Sequence, residues 1–185
     1  MMKKYQSLYS VLLYVFFSFY IVILLYFLFF SRVGLRGFDL FEVNLIPFAT
    51  ISEQLADLST GLRGMAFMNL LVNVLLLAPL GLYLPILWKK RRPIVYVGLI
   101  VAISLLIEII QLTFGLGAAD IDDVILNCLG GFLGLAFYKT LLVLLKDEHR
   151  VRGFVTICSA IVGILIAIFF AVEIYQWVVW NNSIM

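Results

Sequence analysis

The side chains most able to do chemistry in this sequence are carboxylates and carboxamides that lie within or beside long apolar stretches. Glu108 is surrounded by leucine and isoleucine, with Ser104 four residues before it and Gln111 three residues after it. This spacing places the three side chains on one face of a helix. An ionised carboxylate at membrane depth costs roughly 2.5–3.5 kcal/mol at a helix centre and less near the surface, so Glu108 must be paired, hydrated or protonated.

A second group of polar residues opens a later apolar stretch. Asp120, Asp122 and Asp123 precede it, and Asn127 follows Asp123 by four residues, so that the last two share a helix face. Carboxylates in the first turn of a helix are favoured by the helix dipole by a few tenths to about 1 kcal/mol. We expect one of the three aspartates to be an N-cap.

Two amides complete the set of candidate site residues. Asn69 and Asn73 are four residues apart at the start of another apolar stretch, which predicts that both lie on one helix face and need polar partners. Either a structural hydrogen-bond network or a binding or catalytic pocket would supply those partners. We favour the pocket, because ionisable residues inside a membrane usually mark functional sites.

The elements that carry these residues are membrane-spanning helices. The chain has 185 residues, of which 64% are hydrophobic and 13% charged, a balance that excludes a soluble globular protein. Each apolar stretch is close in length to the roughly 20 residues that a helix needs to cross a bilayer. We predict an all-α polytopic membrane helix bundle, a single membrane domain over residues 1–185 with a core at about 40–145. The five predicted spans are Leu8–Phe30, Ala66–Leu87, Ile94–Phe114, Val124–Leu145 and Phe154–Trp177.

The charged residues between the spans predict the orientation. If the spans alternate, one side of the membrane carries most of the lysine and arginine, including the run Lys89, Lys90, Arg91 and Arg92, and the other side keeps Arg32, Arg36 and Arg63. Basic loops stay cytoplasmic, so we place the N-terminus inside and the C-terminus outside. Because orientation accounts for the basic run, we expect no nucleic-acid partner. The starts of the second and fourth spans and the end of the third then meet at the extracytoplasmic surface.

The segment between the first two spans is too polar to cross a membrane. Its Thr50-Ile51-Ser52-Glu53 sequence fits a capping box, and the apolar residues that follow at helical spacing predict a short interfacial amphipathic helix, its apolar face being Ile51, Leu55, Leu58 and Leu62. This helix is either a membrane-hugging connector or a lid over the polar residues. Two further features concern the spans: Pro79 predicts a kink, and Gly130, Gly131 and Gly134 predict close approach of another helix.

At these residues the sequence resembles the VanZ-like family of bacterial membrane proteins. The resemblance is carried by four ordered motifs, namely Asn44–Phe48, Asn69–Asn73 followed by Ala78–Gly81, Glu108–Gln111 and above all Asp120–Gly130. It implies a protein of the bacterial cell membrane, typically in Gram-positive bacteria. The founding member of the family is associated with low-level teicoplanin resistance, so an envelope function of that kind is the first expectation.

Three functions are compatible with the residues. The first is an accessory envelope protein that reduces susceptibility to lipoglycopeptides such as teicoplanin by binding a lipid, a wall precursor or the antibiotic in an extracytoplasmic polar pocket. The second is an outer-leaflet enzyme with Glu108 or Asp123 as general base and a divalent cation on the aspartates. The third is a small proton-coupled transporter with Glu108 as the proton site.

The expected partner is a membrane lipid or a lipid-linked envelope component, and a helix–helix oligomer is left open. The candidate metal ligands for the enzyme alternative are Asp120, Asp122 and Asp123, although their spacing is not that of an EF-hand loop. The candidate ligand-binding residues are Asn44, Asn69, Asn73, Glu108, Gln111, Asp120, Asp122, Asp123 and Asn127.

Overall fold

The computed structural model describes residues 2–29, 43–57, 63–89, 91–115 and 119–182. Within these ranges the chain forms helices joined by short connections, with two very short strands. In chain order the elements are α1 (Met2–Phe29), β1 (Val43–Asn44), α2 (Ala49–Asp57), α3 (Arg63–Leu87), α4 (Pro93–Thr113), β2 (Ala119–Asp120), α5 (Ile121–Leu145) and α6 (Glu148–Asn182).

Five of the described helices, α1, α3, α4, α5 and α6, are long and apolar enough to cross a membrane. The predicted all-α, multi-pass fold is therefore confirmed. The short helix predicted between the first two spans is present as α2, but its interfacial position stays a prediction. Leu58 and Leu62 of the predicted apolar face, and Phe30 at the end of the first predicted span, lie outside the described residues.

The chain divides into two compact units. One consists of Met1–Tyr20 and Asp147–Met185, and the other of Ile21–Lys146. In the first unit the Arg152 guanidinium of α6 donates a hydrogen bond of 2.8 Å to the Ser10 hydroxyl of α1. The second unit holds all of the candidate site residues, and its most extensive helix pairing is that of α3 with α5.

Small residues bring the backbones of α3 and α5 together. A Cβ atom at Gly130 would overlap the carbonyl oxygen of Val74, and one at Gly134 would overlap that of Ala78. The paired positions advance together along both helices, so α3 and α5 run in the same direction. The glycine spacing in α5 therefore has the predicted effect of admitting a second helix at backbone distance.

Two proline residues lie inside α3. Pro79 and Pro85 both fall within a helix that continues from Arg63 to Leu87. Each proline lacks the N–H that would bond to the carbonyl four residues earlier, which weakens the helix locally without ending it here. Both prolines lie within the predicted span Ala66–Leu87, and the kink at Pro79 stays a prediction.

The strands join the segment before α2 to the segment before α5. Val43 pairs with Ala119 and Asn44 with Asp120 in parallel register. This pairing was not predicted, because a two-residue strand is too short to show the alternating pattern by which strands are recognised. Its effect is to hold the start of the α2 segment beside the N-terminus of α5.

At the opposite end of this unit, the connection between α3 and α4 is stabilised locally. The Tyr96 hydroxyl donates to the Trp88 carbonyl at 2.7 Å and accepts from the backbone N–H of Arg91 at 3.3 Å. The Arg91 guanidinium lies 5.4 Å from the centre of the Trp88 ring, a cation–π distance. We call residues 88–96 the basic connection.

Candidate binding site at the start of α5

Buried polar side chains gather where α3 and α5 begin and α4 ends. We call this group the polar cluster; each member is at most 7% exposed, and the members are Asn73, Glu108, Gln111, Asp122, Asp123 and Asn127. α3 contributes the first residue, α4 the next two and α5 the other three. The structure therefore brings together polar side chains from the three helices that the predicted topology placed at one surface.

Asp120, immediately before α5, connects the cluster to its surroundings. Its side chain accepts from the backbone N–H of Asp122 at 2.9 Å, which makes it the N-cap of α5. It also accepts from the Thr50 hydroxyl at 2.6 Å, and its backbone N–H donates to Glu108 Oε2 at 3.2 Å. The predicted capping role of one aspartate is confirmed, and the carboxylate of Glu108 lies beside that cap.

Asp122 caps a different helix. Its side chain is fully buried and accepts from the backbone N–H groups of Phe48 at 2.5 Å and Ile51 at 3.0 Å. Phe48 immediately precedes α2 and Ile51 lies in its first turn, where helical N–H groups have no partner within their own helix. Phe48 has a positive φ of 65°, which turns the chain into α2. Asp122 thus fastens α2 to α5.

The predicted capping box at Thr50 is wrong. α2 begins at Ala49, so Thr50 lies inside the helix. Its hydroxyl accepts from the Asn44 side-chain amide at 2.9 Å and donates to Asp120, so it joins β1 to the N-cap of α5. The sequence pattern was local, whereas the residue that supplies the cap, Asp122, is distant in the chain.

Asp123 joins α5 to α3. The side-chain amide of Asn73 donates a hydrogen bond to Asp123 Oδ1 between the two helices. Both residues are nine-tenths or more buried. A charge-assisted bond of this kind contributes about 1.5–3 kcal/mol when both partners are present. The pair therefore helps to set the depth at which α3 meets α5, with Asp123 about two turns before Gly130 along α5.

Two buried amides retain unpaired oxygens. Gln111 and Asn127 are each 2% exposed, and neither Gln111 Oε1 nor Asn127 Oδ1 has a hydrogen-bond partner. Gln54 Oε1 on the partly exposed α2 also lacks a hydrogen-bond partner. An acceptor buried without a donor costs about 1–3 kcal/mol. Gln111 lies one turn from Glu108 and Asn127 one turn from Asp123, so both unpaired oxygens border the carboxylates.

Three candidate residues lie outside the buried group: Asp120, described above, Asn69 and Asn44. Asn69 is exposed, although it was predicted to share the site with Asn73. Asn44 is partly buried, and its side-chain oxygen accepts from the backbone N–H of Ile46 at 3.1 Å. The structure uses Asn44 to shape the turn into α2.

The three aspartates do not form a metal-binding group. Each carboxylate faces different donors: Asp120 the cap of α5, Asp122 the first turn of α2, and Asp123 the amide of Asn73. Among the residues that the structure describes, no three His, Cys, Asp or Glu side chains are arranged to hold a metal ion. Asp120 and Asp122 receive neutral N–H and O–H donors.

Comparison with known proteins gives two matches over this region. A family model described as VanZ/LLP1 matches residues 16–146, which include every residue of the polar cluster. The chain is also 32% identical to Protein VanZ of Enterococcus faecium over 127 residues, which cover 69% of this chain and 68% of that protein. No solved structure matches.

Proposed function

This chain belongs to the VanZ/LLP1 family of envelope membrane proteins, and we propose that it lowers susceptibility to lipoglycopeptides such as teicoplanin by binding a ligand at the polar cluster. The observation that carries this proposal is the gathering of buried carboxylates and amides from α3, α4 and α5 at one end of the unit. Such groups are costly to place in a membrane and commonly mark a site.

The cluster contains more acceptors than its folding role requires. The bonds of Asp122 to α2 and of Asp123 to Asn73 account for two carboxylates as structural contacts. The unpaired oxygens of Gln111 and Asn127 have no such role. An acceptor that lowers stability without a partner is expected where a ligand or water supplies the donor.

The proposed site faces outward. The basic connection lies at the opposite end of the unit, and short loops rich in lysine and arginine are retained in the cytoplasm. With that end inside, the polar cluster lies near the extracytoplasmic surface, where lipids, lipid-linked wall precursors and lipoglycopeptides are accessible. α2, which packs on α3 and α5, would then be the cover over the site.

Two single substitutions test the proposal. Glu108→Gln and Asp123→Asn each remove a buried negative charge with little change in side-chain shape. We expect each to lower the minimum inhibitory concentration of teicoplanin toward that of cells lacking the protein, while the amount of protein in the membrane is unchanged. Glu53→Gln, at an exposed carboxylate of α2, is the matched control and keeps full activity. Full activity in both cluster variants would refute the proposed site.

A further inference from the structure

We propose that the ligand of the polar cluster is a membrane lipid with an uncharged, hydroxyl-rich headgroup, whose O–H groups donate to Gln111 and Asn127. The proposal rests on the proposed function of the cluster as a binding site and names the chemical class of its ligand. It is based on the hydrogen-bond acceptors that have no donor in the folded protein. These are the side-chain oxygens of two amides, each 2% exposed and without a donor.

The carboxylates near these amides already accept hydrogen bonds within the protein. Asp120 and Asp122 accept from hydroxyl and backbone N–H groups, Glu108 from the N–H of Asp120, and Asp123 from Asn73. The oxygens that remain are therefore neutral amide oxygens. A neutral acceptor is fully satisfied by a hydroxyl group, which brings no charge into the membrane.

The two unpaired oxygens border one region of the bundle. Ser104 bonds to the Val124 carbonyl at 3.2 Å and Glu108 to the N–H of Asp120 at 3.2 Å, which gives the register of α4 against antiparallel α5. In this register the Cα atoms of Gln111 and Asn127 lie about 15 Å apart along the helix axes. Helical side chains lean toward the N-terminus of their own helix. Because these helices are antiparallel, the two side chains lean toward each other and toward the carboxylates.

The spacing and the surroundings select the size and charge of the headgroup. This separation of the Cα atoms, shortened because both side chains lean inward, suits a headgroup with several hydroxyl groups, such as a disaccharide, better than a single small group. A phosphate would bring its oxygens against carboxylates and amide oxygens, which cannot donate to it. An ammonium group would be drawn to the carboxylates, whereas the acceptors that lack a donor are the neutral amide oxygens.

The depth of the site favours a lipid over a soluble sugar. Asn127 lies about 9 Å along α5 from Ile121, inside a predicted membrane span. A molecule that donates to its oxygen must enter the bundle at membrane depth. An acyl chain beside the headgroup would gain apolar contacts there that a free sugar lacks.

Lipid binding to the purified full-length protein tests the ligand class. The protein is prepared in lauryldimethylamine oxide, a detergent without a sugar headgroup, and native mass spectrometry measures binding of three lipids with identical acyl chains. These are diglucosyl diacylglycerol, phosphatidylethanolamine and phosphatidylglycerol. We expect the glycolipid to bind most tightly and free maltose not to bind. Equal binding of the three lipids, a preference for either phospholipid, or binding of maltose as tight as that of the glycolipid would overturn the proposal.

Amide replacements locate the contact. Gln111→Met combined with Asn127→Leu should weaken glycolipid binding about tenfold or more, since two hydrogen bonds of about 0.5–1.5 kcal/mol each are lost. Thermal stability should stay the same or rise, because the replaced oxygens have no partner in the protein. The matched control, Gln176→Met with Asn181→Leu, changes exposed amides and should bind normally. Unchanged binding in the buried pair would overturn the proposal.

Two further measurements keep the results interpretable. Dodecyl maltoside should displace the glycolipid from the wild-type protein, a test that needs no variant, and failure to do so would count against the sugar site. Teicoplanin susceptibility of the same variants separates the two proposals. If the Gln111→Met, Asn127→Leu variant loses glycolipid binding but keeps normal teicoplanin susceptibility, the proposed function alone is refuted. If Glu108→Gln alters susceptibility although the wild-type protein binds no glycolipid, the ligand class alone is refuted.

Discussion

The polar cluster and the basic connection lie at opposite ends of the same unit and are stabilised in opposite ways. At the cluster end, hydrogen bonds join residues 70 to 74 positions apart, as between Thr50 and Asp120 or Phe48 and Asp122. At the basic connection, the Tyr96 hydroxyl bonds to groups only five and eight positions away. One end is therefore built from distant segments and the other from a single loop.

The charged residues at the two ends also differ in burial. The carboxylates of Glu108, Asp122 and Asp123 are buried, whereas Lys89, Arg91 and Arg92 at the basic connection are exposed. Exposed charge needs no partner and is consistent with a role in orientation alone. Buried charge must be matched by specific donors, so the cluster end carries most of the structural specificity of the unit. Three stability measurements test this difference between the two ends.

The largest effect is expected at Asp122. Asp122→Ala leaves two N–H groups of α2 without their acceptor, which should lower the free energy of unfolding by roughly 2–6 kcal/mol. Denaturation in detergent micelles measures the loss, and hydrogen–deuterium exchange should accelerate in residues 48–51 but not in α4. The control is Asp147→Ala, an exposed cap whose side chain accepts from the nearby His149 N–H at 3.0 Å. An equal loss in both variants would remove the distinction between distant and local caps.

A smaller effect is expected at Gly130, beside the cluster. Gly130→Ala places a methyl group against the Val74 carbonyl, which should cost about 1–3 kcal/mol through overpacking. Gly98, near the basic connection, has open space where its Cβ would lie. Gly98→Ala should therefore be neutral or gain up to about 1 kcal/mol of helix stability. The same denaturation assay compares the two, and a tolerated Gly130→Ala would show that α3 and α5 can separate without loss.

The smallest effect is expected at Tyr96. Tyr96→Phe removes one hydroxyl that bonds within the basic connection, and about 0.5–1.5 kcal/mol of stability should be lost. Tyr175→Phe, at an exposed residue of α6, is the control for removing a hydroxyl. A loss at Tyr96 as large as that at Asp122 would mean that both ends contribute equally to the stability of the unit.

The helices were predictable because their signal is local. Apolar length identified all five spans, and the spacing of Gly130 and Gly134 indicated the contact with another helix. Asn73 and Asp123 were also placed at a common depth, because short connections leave few ways to order the helices. Each of these inferences needs only residues that are close together in the chain.

The details of the cluster were harder to predict because they depend on rotation and register between helices. The spacing of Asn69 and Asn73 placed both on one face, yet Asn73 is buried and Asn69 is exposed. Thr50 matched a local capping pattern, but Asp122 supplies the cap from a distant helix. The two-residue pairing of β1 with β2 has no periodic pattern at all.

The bond between Asp122 and Phe48 has a consequence for biosynthesis. The acceptor is translated 74 residues after the donor, after all of α3 and α4 has been synthesised. Until α5 enters the membrane, the first turn of α2 must remain hydrated or be protected by the insertion machinery. The α2 segment is thus an early product of translation that is fastened in its final position only after α5 has been synthesised.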